Sequence, residues 1–183
     1  MRSGKASTQP PYTEPPPAVT EAAASQRSNA IGKNAPAFEL VDQNDKSVKL
    51  NEFRGQWLVI YFYPKDDTPG CTCEANEFTA LLQKFGQVHA NVVGINADTP
   101  ADHRQFIKEY NLKVRFLSDP QRGALRAYGA WVYIPQGINA PGMFLRSTFL
   151  IDPTGKIAWH WPEVVPQGHA QRVYEKLIEL SKS

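Results

Sequence analysis

Short apolar runs alternate with amphipathic segments over most of the chain, and this alternation sets the predicted architecture. Leu58–Tyr63 is a continuous apolar run rich in β-formers, which is typical of a strand buried on both faces of a sheet. Val92–Asn96 has the same character, and Phe116–Leu117 predicts a shorter strand. Two further short strands, Ala37–Leu40 and Ser47–Leu50, are predicted on either side of a polar turn.

Helices are predicted between these strands. Apolar residues fall on one face of Cys71–Phe85, which indicates an amphipathic helix. Thr99, Pro100 and Asp102 supply an N-cap, a proline at the first helical position and an acid at the third. A shorter helix is predicted within Asp119–Gly129, where the glycine ends it.

The C-terminal third predicts a hairpin followed by a helix. Thr148–Ile151 and Lys156–Trp161 flank the turn sequence Asp-Pro-Thr-Gly, and an amphipathic helix is carried by apolar residues from Ala170 to Leu180. An irregular loop is predicted over Gly137–Met143. Strands that alternate with helices and end in a hairpin indicate an α/β domain with a mixed sheet.

The N-terminal segment differs in composition from the rest of the chain. Residues 1–29 are rich in Pro, Ala, Ser and Thr, which predicts a disordered tail because so little apolar surface is available to offset ordering entropy. Residues 30–183 are predicted to form the folded domain.

Composition excludes several functional classes. The net charge is +2 with no run of basic residues, so no nucleic-acid partner is predicted. No stretch of 18 apolar residues and no signal peptide is visible, so we expect no membrane association. The two cysteines are too few for a disulfide-stapled fold. These features favour the cytoplasm or an organelle stroma.

Cys71 is the strongest candidate for chemistry. It is predicted to begin a helix, and a helix N-terminus lowers the pKa of a thiol because unpaired N–H groups favour the anion. Pro69 and Gly70 shape the preceding chain, and Thr68 can place a hydroxyl beside the sulfur. The alternative is an inert structural cysteine, although a polar, proline-framed loop suits that role poorly.

Two other thiol chemistries fit less well. Cys71-Thr-Cys73 could be half of a metal site, but a structural zinc site needs four ligands and no second cysteine pair exists. The four histidines show no ligand spacing, so no metal is predicted. A Cys-x-x-Cys motif of a dithiol oxidoreductase is absent.

The sequence around Cys71 resembles a known family. Pro64-x-x-x-Thr68-x-x-Cys71 is similar to the active-site signature of the peroxiredoxins. The wider stretch Tyr61–Ala75 resembles the bacterioferritin comigratory protein / peroxiredoxin Q subfamily. Arg146–Lys156 resembles a second hallmark segment of the same subfamily.

The resemblance implies a thioredoxin-like fold with a central mixed β-sheet flanked by helices. It implies reduction of hydrogen peroxide and organic hydroperoxides, with Cys71 as the peroxidatic nucleophile and Thr68 as its hydroxyl partner. Pro64 would shield the sulfur, and Arg146 would stabilise the thiolate and polarise the peroxide, although Arg146 taken alone is more typical of a surface charge. No metal, haem or flavin cofactor is implied.

The step that regenerates Cys71 is left open. Many subfamily members carry a resolving cysteine five residues after the peroxidatic one, where this chain has Asn76. Either Cys73 resolves the oxidised sulfur after the first helical turn unwinds, or an external thiol does so, which we favour. Thioredoxin or another thiol is the expected reductant, and a monomer or weak homodimer is expected.

Two further alternatives stay open at this level. Glu74 fits a helix-capping acid better than a residue that tunes the active site. The whole chain could also be a non-catalytic binding protein on a thioredoxin-like scaffold. The complete set of Pro64, Thr68, Cys71 and Arg146 favours the enzyme, because a binding protein has no need of it.

Overall fold

A mixed β-sheet forms the centre of the computed structural model, which describes residues 21–132 and 142–182. Its seven strands are β1 (Glu39–Asp42), β2 (Ser47–Lys49), β3 (Trp57–Phe62), β4 (Ala90–Asn96), β5 (Arg115–Ser118), β8 (Ser147–Ile151) and β9 (Ile157–Trp161). A separate two-stranded sheet pairs β6 (Trp131–Val132) with β7 (Met143–Phe144).

Five α-helices and one 3-10 turn accompany the sheet in the described residues. They are α1 (Glu21–Ala30), the 3-10 turn (Leu50–Phe53), α2 (Pro69–Gln87), α3 (Pro100–Tyr110), α4 (Gly123–Ala127) and α5 (His169–Ser181).

The central sheet contains both parallel and antiparallel neighbours. The order is β2-β1-β5-β4-β3-β8-β9, in which β3, β4 and β5 run parallel and the other neighbours run antiparallel. β3 lies between β4 and β8 in this order. The predicted mixed sheet flanked by helices is therefore confirmed.

β3 contributes side chains to two separate hydrophobic cores, because successive residues of a strand point to opposite faces of the sheet. Helices α2 and α5 cover one face, and α4 lies on the other. The β3 segment contributes Val59, Tyr61 and Tyr63 to the first core, and Leu58, Ile60 and Phe62 to the second.

The local signals at the helix starts are visible in the structure. Thr99 Oγ1 accepts a hydrogen bond of 3.2 Å from Asp102 N, and the Asp102 carboxylate accepts one of 3.1 Å from Thr99 N, which confirms the predicted cap of α3. Helix α2 begins at Pro69, two residues before the predicted start, with Thr68 as N-cap. Proline suits this position because its fixed φ is already helical.

The N-terminal segment departs from its prediction. Disorder was predicted over residues 1–29, yet Glu21–Ala30 forms α1, while residues 1–20 and most of the predicted loop Gly137–Met143 lie outside the described residues. Helix α1 has no apolar stripe from which it could be predicted. Contacts with β9 hold it in place. Arg27 Nε donates to the His160 carbonyl at 2.7 Å, and the Arg27 guanidinium lies 4.9 Å from the Trp159 ring centre.

None of the helices in the described ranges has the length and apolarity needed to cross a membrane.

Candidate active site

Cys71 lies in the first turn of α2, just beyond the carboxyl end of β3. The first hydrogen bond of the helix runs from Thr72 N to Thr68 O at 2.8 Å. The N–H groups of Gly70 and Cys71 therefore have no acceptor within the helix, and they carry the positive end of its dipole. This end of α2 favours a negative charge on the sulfur or on an oxygen beside it.

Arg146 is distant from Cys71 in the sequence, but its side chain contacts the Cys71 sulfur. Its Nη2 lies 3.2 Å from Cys71 Sγ, across 75 residues of chain. Arg146 immediately precedes β8, the antiparallel neighbour of β3, so the sheet fixes both groups. Cys71 itself is only 1% exposed, and the cation therefore acts on it with little screening by water.

Glu74 completes a buried bridge with Arg146. Arg146 Nη1 donates to Glu74 Oε2 at 2.6 Å, and Glu74 is fully buried. Burial raises the pKa of Glu74 to about 7, although Arg146 pulls it down. Burial opposes the charge on Arg146, but Glu74 and Cys71 together raise the pKa of its guanidinium. A single guanidinium thus holds the thiol and the carboxyl in one geometry.

The capping role favoured for Glu74 is wrong. Helix α2 begins at Pro69, so Glu74 lies beyond the first turn, and no acidic residue is in that turn. The side chain instead enters the site through its bond to Arg146.

Gly70 makes the approach of Arg146 feasible. A Cβ at this position would lie 3.2 Å from Arg146 Nη2 and 3.4 Å from Pro166 Cγ, which is tighter than most real contacts. The glycine therefore leaves the space that the guanidinium occupies beside the first turn of α2.

Thr68 and Pro64 frame the loop that leads into α2. Thr68 Oγ1 donates to the carbonyl of Lys65 at 3.1 Å, so its proton serves the loop in this structure. The lone pairs of that hydroxyl stay available as acceptors. Pro64 is partly buried at the start of the loop, directly after the fully buried Tyr63.

Cys73 lies in a different environment from Cys71, although both thiols are free. Its sulfur lies 3.9 Å from Glu77 Oε1. Burial and the nearby Glu77 and Glu74 carboxyls raise the pKa of Cys73 to about 11. The Cys73 thiol therefore stays protonated at neutral pH, and a protonated thiol is a weak nucleophile.

Sequence reasoning missed a buried polar cluster next to the site. Asp66, in the loop before α2, and His103, on α3, meet at 2.6 Å. A signal was present, because His103 falls on the same helical face as Phe106 and Tyr110, and a histidine on an apolar stripe requires a buried partner.

Metal ligation finds no support in the described ranges, where no group of three or more His, Cys, Asp or Glu side chains could hold an ion.

Comparison with known proteins agrees with this geometry. A model of the AhpC/TSA family matches residues 31–160. Peroxiredoxin Bcp of Bacillus subtilis is 33% identical over 153 residues, which cover 83% of this chain and 97% of that relative. Chloroplastic peroxiredoxin Q of Gentiana triflora is 36% identical over 150 residues, covering 81% of this chain and 66% of that relative.

Solved structures give the same picture. A cysteine variant of Xylella fastidiosa PrxQ superposes with a TM-score of 0.76 at 33% identity, covering 82% of this chain and 96% of that one. The bacterioferritin comigratory protein of Xanthomonas campestris, studied for alkyl peroxide reduction, gives a TM-score of 0.74 at 32% identity, covering 78% of this chain and 90% of that one.

The chain belongs to the AhpC/TSA family. It is a peroxiredoxin, a thiol-dependent peroxidase with a thioredoxin-like fold, and it is similar to the Bcp and peroxiredoxin Q proteins. The predicted family, fold and enzyme class are confirmed.

Proposed function

We propose that Cys71 is the peroxidatic nucleophile of this chain and that Arg146 activates it. The observation that carries the proposal is the 3.2 Å contact between Arg146 Nη2 and Cys71 Sγ at the N-terminus of α2. A guanidinium and free backbone N–H groups both favour the thiolate, which is the reactive form. Thr68 and Pro64 line the approach to the sulfur from the preceding loop.

The first half-reaction is a displacement at oxygen. The Cys71 thiolate attacks the terminal peroxide oxygen, an S–O bond forms, and the O–O bond breaks. Sulfur loses two electrons and becomes a sulfenic acid, while the leaving oxygen takes a proton and departs as water or an alcohol. Arg146 and the N–H groups of Gly70 and Cys71 are placed to stabilise the negative charge that develops on oxygen.

The substrates are hydrogen peroxide and small organic hydroperoxides. The X. campestris relative has been studied for alkyl peroxide reduction, and its structure resembles this one. Because Cys71 is only 1% exposed, a small peroxide suits the folded site better than a bulky oxidant.

The second half-reaction requires a thiol reductant, for which we propose thioredoxin or another thiol. The thiol attacks the Cys71 sulfenic acid, releases water and leaves a mixed disulfide, which a second thiol reduces. A protein thiol can reach so buried a sulfur only if the first turn of α2 opens. A compartment that keeps thiols reduced, such as the cytoplasm or an organelle stroma, supplies this reductant.

Trapping the oxidised sulfur tests the proposal directly. After one equivalent of peroxide, the protein should gain the mass of one dimedone adduct, and peptide mapping should place that adduct on Cys71. A dimedone adduct on Cys73 alone, or none at any peroxide dose, would contradict the assignment.

We further propose that Cys73 does not resolve Cys71. Both residues belong to α2, where side chains two positions apart point about 200° apart, so a disulfide would require the first turn to unwind. The Cys73 thiol is also held protonated by burial and by Glu77. An external thiol also needs the first turn to open, but its sulfur is not held beside Glu77 as that of Cys73 is.

The Cys73→Ser variant should therefore keep most of its turnover with a small-thiol reductant, measured by peroxide consumption. Oxidised wild-type protein should accumulate sulfenic acid or a mixed disulfide. Rapid and stoichiometric formation of a Cys71–Cys73 bond within one chain would instead show that Cys73 is the resolving residue.

A further inference from the structure

A buried polar cluster lies beneath the loop that connects β3 to α2. Asp66, in the middle of that loop, accepts three hydrogen bonds through its carboxylate. Tyr63 Oη donates to Oδ1 at 2.7 Å, and Asn96 Nδ2 donates to the same oxygen at 3.2 Å. His103 Nδ1 bonds to Oδ2 at 2.6 Å. The carboxylate is thus shared among β4, α3 and the segment that leaves β3.

The His103 side chain is fully buried and packed in the core. It has no exposed surface, and its ring stacks on Phe116 of β5 with 5.5 Å between the ring centres. A carboxylate only accepts hydrogen bonds, so His103 Nδ1 is the donor to Asp66. Its Nε2 has no hydrogen-bond partner among the described residues, so the bond to Asp66 is the one that fixes the ring.

Asp98 holds the backbone of the same loop. The N–H of Asp66 donates to Asp98 Oδ2 at 2.7 Å, and Asn96 Nδ2 donates to that oxygen at 2.8 Å. Asp98 N in turn donates to Asn96 Oδ1 at 3.0 Å. Both the side chain and the main chain of Asp66 are therefore tied to the carboxyl end of β4.

This hydrogen-bond network is a poor source of folding stability. Burying a carboxylate costs free energy unless every partner is in place, and apolar residues of the same volume often stabilise a fold at least as well. What such a network supplies is a single defined geometry for the chain that carries it. Here that chain contains Pro64 and Thr68, which lie two residues on either side of Asp66.

We propose that Asp66 and His103 are positioning residues for the peroxide step. They hold the loop so that Pro64 and Thr68 frame the Cys71 sulfur for an incoming peroxide. The inference rests on the proposed role of Cys71. On this proposal, two contributions to the reaction are separate. Arg146 and the N-terminus of α2 activate the thiolate, whereas the loop aligns the peroxide.

The experiment compares two reactions of Cys71 in a Cys73→Ser background, where it is the only thiol. Peroxide oxidation, followed by stopped-flow fluorescence, requires the aligned loop, while alkylation by iodoacetamide requires only an accessible thiolate. His103→Leu and Asp66→Asn should each slow peroxide oxidation by about tenfold to a hundredfold, the usual scale for a misplaced reactant. Neither substitution should slow alkylation.

Rescue distinguishes positioning from simple packing. His103→Asn can place its amide nitrogen where Nδ1 lies and still donate to Asp66, so it should recover most of the peroxide rate that His103→Leu loses. As a control, His160→Leu removes another buried histidine, which stacks on Phe149 and has no partner at Nδ1. It should leave both rates unchanged.

Several results would overturn the proposal: a wild-type peroxide rate in His103→Leu, equal losses in His103→Leu and His103→Asn, or a parallel loss of alkylation. If His103→Leu does not fold, Tyr63→Phe removes one donor to Asp66 and retains the ring, and an unchanged peroxide rate there would count equally against it. Failure of the proposed function would look different, because Cys71→Ser would then keep peroxide turnover.

Discussion

Peroxide turnover is expected to fall to the rate of the uncatalysed reaction when Cys71 is replaced by Ser. A serine hydroxyl is almost wholly protonated at neutral pH and is a poor nucleophile toward the O–O bond. The substitution changes one atom in a residue that is 1% exposed, so the fold should be retained. Steady-state peroxide consumption with a thiol reductant measures the effect, and circular dichroism checks the fold.

Cys73→Ser is the matched control, because it makes the same chemical change two residues further along α2. Its turnover with a small-thiol reductant should stay close to that of the wild type. Substantial peroxidase activity in Cys71→Ser would refute the mechanism, whatever the behaviour of the control.

Arg146→Ala is expected to produce the next largest effect. Loss of the guanidinium removes the cation that lies 3.2 Å from Cys71 Sγ. Peroxide oxidation of Cys71 at neutral pH should slow by at least about tenfold, because a nearby cation favours the thiolate, which is the reactive form. Stopped-flow measurement of peroxide oxidation checks this loss of rate, and circular dichroism checks the fold.

The same substitution also affects Glu74. Arg146 is the partner that opposes the burial of this carboxyl, whose pKa is already raised to about 7. Without the guanidinium the pKa of Glu74 should rise further, and the carboxyl should stay neutral at neutral pH. The variant thus loses both charges of the buried bridge, which limits the cost in stability relative to an unpaired carboxylate.

Arg146→Lys provides the control for charge alone. A lysine keeps the positive charge but cannot bond to Cys71 and Glu74 in parallel, as the two Nη atoms of Arg146 do. We expect an intermediate rate. Peroxide oxidation at the wild-type rate in Arg146→Ala would remove Arg146 from the site.

Local patterns predicted the secondary structure wherever the relevant interactions are close in sequence. The apolar run Leu58–Tyr63 predicted β3 because a doubly buried strand has no polar face to show. The cap at Thr99 and Asp102 could be predicted because both partners lie within one helical turn. Helix α1 was missed because its contacts, Arg27 with His160 and Trp159, join distant parts of the chain.

The candidate site divides in the same way. Pro64, Thr68 and Cys71 fall within eight residues, so a single short motif indicated a reactive thiol at a helix N-terminus. The role of Glu74 was misjudged because the start of α2 lay two residues earlier than predicted. Because α2 begins at Pro69, Glu74 lies beyond the first turn, and its side chain bonds to Arg146.

The sequence alone determined the class of chemistry: an α/β domain whose motif around Cys71 resembles the peroxiredoxins, which are thiol-dependent peroxidases. The resemblance had also named Arg146, but only the tertiary structure decided how the groups around Cys71 are arranged. Arg146 reaches Cys71 across 75 residues because β8 pairs with β3, and Asp66 meets His103 across 37 because α3 packs beside the loop. Such contacts depend on strand order and helix packing, and these arise from the whole core, so no local pattern in the chain encodes them.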